Sequence, residues 1–170
     1  MEKKDLKFLI IFFYYNRPEM VRNALNSINK LTYKNFEIAF IDDGSEHLGE
    51  PIARSILKPS FLKKTKFINT HDTVIDKINR QGSEIGKYAN EAIQNSDADI
   101  VFMLCDDDAL VPSYLNSLNR FYNHNPQIHY AYCKLKYYNP TIQNYTKGKP
   151  NEEDVTTRLV MPVTNLDSSQ

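Results

Sequence analysis

Apolar residues fall along this chain in two alternating textures. Residues 8–15 are an unbroken run of Phe, Leu, Ile and Tyr, and residues 36–41 repeat the pattern with one interruption at Glu37. Residues 66–69 are a short version, 100–105 are again continuously apolar, and 128–135 are the last such run. Runs of this length and composition predict strands, and those without polar alternation predict strands covered on both faces. The first is expected to be central and the third peripheral. Between the runs, apolar residues recur at helical spacing: Val21, Ala24, Leu25, Ile28 and Leu31, then Ile85, Tyr88, Ala89, Ala92 and Ile93, then Leu115, Leu118 and Phe121 or Tyr122. A weaker helix is expected over 50–57, stopped by Pro59. Strand and helix alternate, which predicts an α/β, Rossmann-like architecture with a mostly parallel central sheet flanked by helices.

Local signals refine this outline. Asn16 is expected to cap the first helix, with Glu19 completing a capping box and Pro18 tolerated in the first turn. Residues 70–82 show no period and read as a loop long enough to bind something. Beyond Asn139 the periodicity stops at Asn139-Pro140, Gly148-Lys149-Pro150 and an acidic run, so a boundary is placed there, with 1–139 as one domain and 140–170 as the start of another part.

Two of the runs end in acid. The second leads into Asp42-Asp43-Gly44-Ser45 and the fourth into Asp106-Asp107-Asp108. In an open α/β sheet, ligands bind beyond the carboxyl ends of the strands, and parallel pairing would set both clusters on one edge. Adjacent carboxylates repel one another and are tolerated where water, a cation or hydrogen-bond donors compensate. Acids at a strand end also serve as turn and helix caps, and Asp42 is assigned that role.

Bulk properties narrow the function. With 170 residues the chain suits one domain, and 21 basic against 21 acidic side chains leave no excess to neutralise a phosphate backbone, which excludes an electrostatic nucleic-acid binder. Cys105 and Cys133 are too few for a disulfide framework or zinc site and read as reduced core residues in a cytoplasmic protein. The run 8–15 follows Lys3, Lys4 and Lys7, as in a signal peptide, but Asn16-Arg17-Pro18-Glu19 replaces the small-residue cleavage site. It also falls far short of the roughly 20 apolar residues a spanning helix needs, so no membrane insertion is expected.

Taken in order, Tyr15-Asn16-Arg17-Pro18, Phe36-Glu37-Ile38 leading to Asp42-Asp43-Gly44-Ser45, the segment from Gly86 through Ile93, and Asp106-Asp107-Asp108 before Pro112 make a pattern. It resembles the nucleotide-sugar half of family 2 glycosyltransferases with the GT-A fold, in particular the spore-coat polysaccharide type, over residues 7–139. The resemblance implies metal-dependent transfer of a sugar from a nucleoside diphosphate, UDP or dTDP in the first instance, to an acceptor hydroxyl with inversion. Tyr15 then stacks on the base and Asp43 accepts a hydrogen bond from a ring N–H, which uracil and thymine possess and cytosine lacks. Asp106 lies near the ribose and Asp107, with Asp108 beside it, holds Mn²⁺ or Mg²⁺; a register with Asp106 and Asp108 as the spaced pair also satisfies the family pattern. Arg80 is a candidate phosphate contact, and Asn16 and Arg17 are candidate neighbours of the nucleotide.

An inverting transferase needs a general base opposite the leaving group, and the resemblance implies one beyond Gln170, in an acceptor half that this chain only begins. A non-catalytic nucleotide-sugar-binding module is therefore the alternative. A nucleotidyltransferase would require a glycine-rich phosphate loop after the first strand, where residues 14–18 have no glycine. A phosphoacceptor receiver domain would want its acids after the first strand, where this chain has Tyr and Asn.

Overall fold

A computed structural model describes residues 4–131 of the chain. The elements follow as β1 (Phe8–Tyr14), α1 (Met20–Asn29), β2 (Phe36–Asp42), α2 (Gly49–Ile56), α3 (Pro59–Leu62), β3 (Thr65–Asn69), α4 (Val74–Arg80), α5 (Ile85–Gln94), β4 (Ile100–Cys105) and α6 (Tyr114–His124). The four strands form one sheet in the order β3-β2-β1-β4, every pair parallel. The chain divides into two compact units, Met1–Asn116 and Ser117–Gln170, and the first contains the whole sheet.

The unbroken apolarity of β1 has its cause in this order, since β1 lies between β2 and β4 with helices over both of its faces. On one face Phe12 stacks on Phe40 at 4.9 Å, and Gly49 at the start of α2 lies directly against the Tyr14 and Phe40 rings. On the other, Leu9, Ile11, Ala39 and Ile41 form a core with Ala89 and Ala92 of α5, extended by Ile85, Tyr88 and Ile93. The helical spacing of α5 thus corresponds to a buried face.

Several expectations are corrected. β4 is as apolar as β1, yet Val101, Met103 and Cys105 are exposed and only Leu104 is well buried, because the face they share with Leu9 and Ile11 is covered by α5 over β1 and β2 and, among the described residues, not over β4. Cys105 is accordingly a free, exposed thiol and not a core residue; Cys133 lies outside the described residues. Asn16 does not cap α1, which begins at Met20 after Glu19 and has no side-chain cap. Pro59 both ends α2 and opens a further turn of helix, α3, since its fixed φ suits a first helical position. The expected loop over 70–82 contains α4, started by a capping box in which Thr73 accepts from the Asp76 N–H and Asp76 accepts from the Thr73 N–H. In the expected fifth strand, residues 128–131 are not strand and the rest lie outside the described residues, as does the boundary at 139/140. Among the described residues no helix is long and apolar enough to cross a membrane.

The start of β4 is tied to the chain's N-terminal arm. Asp99 accepts from the Lys7 N–H at 2.9 Å and from the Lys4 ammonium, and these donors hold its carboxyl below the usual carboxylate range. A depressed folded value means that this contribution is present above the unfolded carboxylate range and is lost as pH falls through the folded value. Asp99→Asn should therefore lower stability at neutral pH by about 0.5 kcal/mol, the scale of screened pairs. Its urea-unfolding free energy should also fall less steeply than the wild type's below pH 4.

Candidate functional site

Strand register builds the site. Tyr14 pairs with Asp42, Phe13 with Cys105, and Asp42 with Asn69, so the ends of all four strands are level and the next residues, Tyr15, Asp43 and Asp106, share one rim. Two bonds from backbone N–H groups lock three of these ends together, as the Asp43 N–H donates to the Tyr14 carbonyl at 3.0 Å and the Tyr15 N–H to the Asp106 side chain, at Oδ2, at 3.0 Å.

Asp42 is structural. It is buried, and its two oxygens accept from the Ser45 N–H at 2.9 Å and the Gly49 N–H at 2.8 Å, clamping the loop after β2 onto the start of α2. Asn16 works on the same loop from the other side. In a left-handed conformation (φ 48°), it donates its N–H to Ser45 Oγ and accepts at Oδ1 from the Glu46 and His47 N–H groups. The Tyr14 hydroxyl donates to the His47 carbonyl at 2.7 Å, and burial, with the Asp42 and Asp106 carboxylates, pushes its pKa up to about 12. Asn16 therefore sets the rim's shape.

The acid triplet is split by a turn in which the Asp108 N–H donates to the Cys105 carbonyl at 3.1 Å. Asp106 turns inward and is only 4% exposed, with Arg17 Nη1 at 3.3 Å from Oδ1. Burial pushes its carboxyl up, while the Tyr15 N–H and Arg17 pull it down. Asp107 and Asp108 are exposed, and Arg17 Nη1 also reaches Asp107 at 2.8 Å. The candidate ligand atoms of Cys105, Asp107 and Asp108 all lie within 4.8 Å of one another. Partial desolvation and the three carboxylates push the Cys105 thiol up. Asp107 and Asp108 offer hard carboxylate oxygens, a donor type that fits Mg²⁺ or Mn²⁺.

At the other end of the rim, Asp43 accepts from Ser83 Oγ at 2.6 Å and pairs with Lys77 Nζ at 2.9 Å. The same ammonium lies over the Tyr15 ring, 4.0 Å from its centroid. Arg80 points elsewhere and pairs with the buried Asp72. Of the residues singled out from the sequence, Tyr15, Asn16, Arg17, Asp43 and Asp106 to Asp108 come together at this rim, and Arg80 is engaged outside it. Lys77 and Ser83 join them at the Asp43 end of the rim, beyond the sequence-based expectation. The Thr73-x-x-Asp76 signal could have placed α4, but nothing local marks Lys77 as its functional residue.

Comparison with known proteins follows the same outline. The model for glycosyl transferase family 2 matches residues 9–164. Protein CgeD of Bacillus subtilis (strain 168) is 25% identical over 133 residues, 76% of this chain and 29% of that protein. An uncharacterized glycosyltransferase of Haemophilus influenzae is 26% identical over 154 residues, 89% of this chain and 47% of that protein. The chain thus spans less than half the length of these curated relatives. Among solved structures, S. aureus TarS 1-349 in complex with UDP has a TM-score of 0.54 and 21% identity, covering 70% of this chain and 32% of that one. The mannosyltransferase PcManGT from Pyrobaculum calidifontis, in complex with GDP-Man and Mn²⁺, has a TM-score of 0.54 and 16% identity, covering 67% and 32%. At these identities the two structures establish a shared fold.

Proposed function

The chain belongs to glycosyl transferase family 2 and has its GT-A type of α/β fold, and from that premise we propose that it binds the donor for sugar transfer from a nucleoside diphosphate to an acceptor hydroxyl, with inversion. The observation that carries this reading is the rim itself, where an aromatic face, a carboxylate beside it and a group of three carboxylates stand side by side at level strand ends. Stacking on Tyr15 fixes a base in the plane where a ring N–H can reach Asp43, so a uracil or thymine nucleotide is the favoured donor. Asp106, held by backbone and Arg17, has the fixed position required to orient a ribose, and Arg17 is placed to take up phosphate charge.

Asp107 and Asp108 are assigned to a divalent cation, Mn²⁺ or Mg²⁺; when bound, such an ion neutralises the charge of the departing diphosphate. Residues 1–139 are assigned to the donor part and 140–170 to the beginning of an acceptor part, and a cytoplasmic setting belongs to the same reading.

Titration calorimetry in Mn²⁺ tests the base contact. UDP and dTDP should bind at least about tenfold tighter than CDP, the scale of one buried hydrogen bond left unpaired, and Asp43→Ala should abolish the preference. Equal binding of CDP and UDP by the wild type would remove Asp43 from the base site.

A further inference from the structure

We propose that Lys77 closes the base slot of the ligand-free protein and that a nucleotide enters only as α4 carries this ammonium away, so that Lys77 sets donor affinity. The inference rests on the donor-site reading of Tyr15 and Asp43. Lys77 Nζ sits 4.0 Å from the centre of the Tyr15 ring and 2.9 Å from Asp43 Oδ2, and it also donates to the Asp43 carbonyl. A base that stacks on that face and offers an N–H to that carboxylate needs the same volume and the same acceptor. Ammonium and base therefore exclude each other. The slot is closed tightly, as the side chains of Lys77 and Asp43 are only 17% and 13% exposed.

The element carrying Lys77 is lightly packed. α4 has seven residues and none is buried; Val74, Ile75 and Ile78 are 56%, 68% and 68% exposed. It is bracketed by His71 (φ 57°) and Gln81 (φ 59°), two non-glycine residues in the left-handed region, where the chain reverses sharply at some conformational cost. Its capping box and the Arg80–Asp72 pair hold the helix to its own flanks. Among the described residues, the side-chain bonds and ion pairs of α4 that reach beyond those flanks belong to Lys77. Releasing this one side chain thus leaves α4 tied to the rim only through its flanks, Asp72 before it and Ser83 after it.

Entry is an exchange of donors. Ser83 keeps its bond to Asp43 Oδ1, while a base N–H replaces the ammonium at Oδ2 and a base face replaces the cation over Tyr15. Affinity is lowered by the closed state's population, equally for every base, because closure is a property of the free protein.

The test compares wild type, Lys77→Met and Lys77→Arg by titration with UDP and with uridine in Mn²⁺. Methionine keeps the apolar stem and removes the charge and the donors. Lys77→Met should bind both ligands about tenfold tighter, with the same factor for each, which places the effect at the base and not at the phosphates. Lys77→Arg, which retains a cation for Tyr15 and Asp43, should remain near the wild type. Hydrogen exchange of residues 74–80 should speed up when UDP binds the wild type. Unchanged or weaker binding by Lys77→Met overturns the inference while leaving the donor site standing, and a failure of wild type and variants alike to bind UDP overturns both.

Discussion

Asp107→Ala should raise the dissociation constant of UDP in Mn²⁺ about a hundredfold while moving the melting temperature by no more than a degree or two. The separation of effects follows from where the acids sit. Asp107 is exposed and its ion-pair partner is Arg17, itself half exposed, so the fold gains at most a fraction of a kcal/mol from it. Its oxygens stand beside those of Asp108, and a hard divalent ion depends on both charge and oxygen count. Asp106 is the contrasting case, since it is buried and accepts from the Tyr15 backbone, and its removal would disturb the rim as well as the ligand. Calorimetry with UDP, alongside thermal melts of the same samples, checks both halves of the expectation. A loss of binding that tracks a loss of stability would make Asp107 a structural residue.

Gly44→Val should destabilise the protein by about 3 kcal/mol and lower its melting temperature by roughly 10 °C. Gly44 has φ 70°, and a Cβ built there would lie 2.0 Å from the Asp72 carbonyl oxygen and 2.8 Å from the Asp72 carbonyl carbon and amide nitrogen. A β-branched residue pays both for the left-handed backbone and for a collision with main chain, which no rotamer relieves. Asp72 cannot retreat freely, because it is buried and paired with Arg80. The displaced loop also carries Asp43, so weaker UDP binding should accompany the loss. Thermal melts followed by circular dichroism give the answer; a change below about 1 kcal/mol would show that the segment before α4 yields easily.

What could be read in the sequence was whatever depends on near neighbours and on strand ends. β1, β2 and β4 announce themselves by apolar runs, and acids at the ends of parallel strands meet at one rim, which places Asp43 and Asp106 to Asp108 together; Tyr15 enters the site only through the family resemblance. The same signal misjudges β4, because an apolar run reports what a strand can bury and not how far a covering helix extends over the sheet. α4 leaves no such signal for the opposite reason, since Val74, Ile75 and Ile78 are mostly exposed and make no periodic face tied to a core. Asn16 has the residue type and the Glu19 spacing of a helix cap. It is drawn away by backbone N–H groups some thirty residues downstream, a partner no local pattern contains. Lys77 is a still longer-range case: its role exists only because β2 and the chain after β3 are brought together by the fold.

The central claim is a working donor site at the strand rim, and titration of the intact chain with UDP, first in Mn²⁺ and then in excess EDTA, tests it most directly. Saturable binding in Mn²⁺ that weakens at least about tenfold in EDTA is the expected result. Failure to bind UDP, dTDP or GDP in either condition, or binding indifferent to the metal, would contradict the assignment of Tyr15, Asp43 and the acid triplet to a nucleotide and its cation.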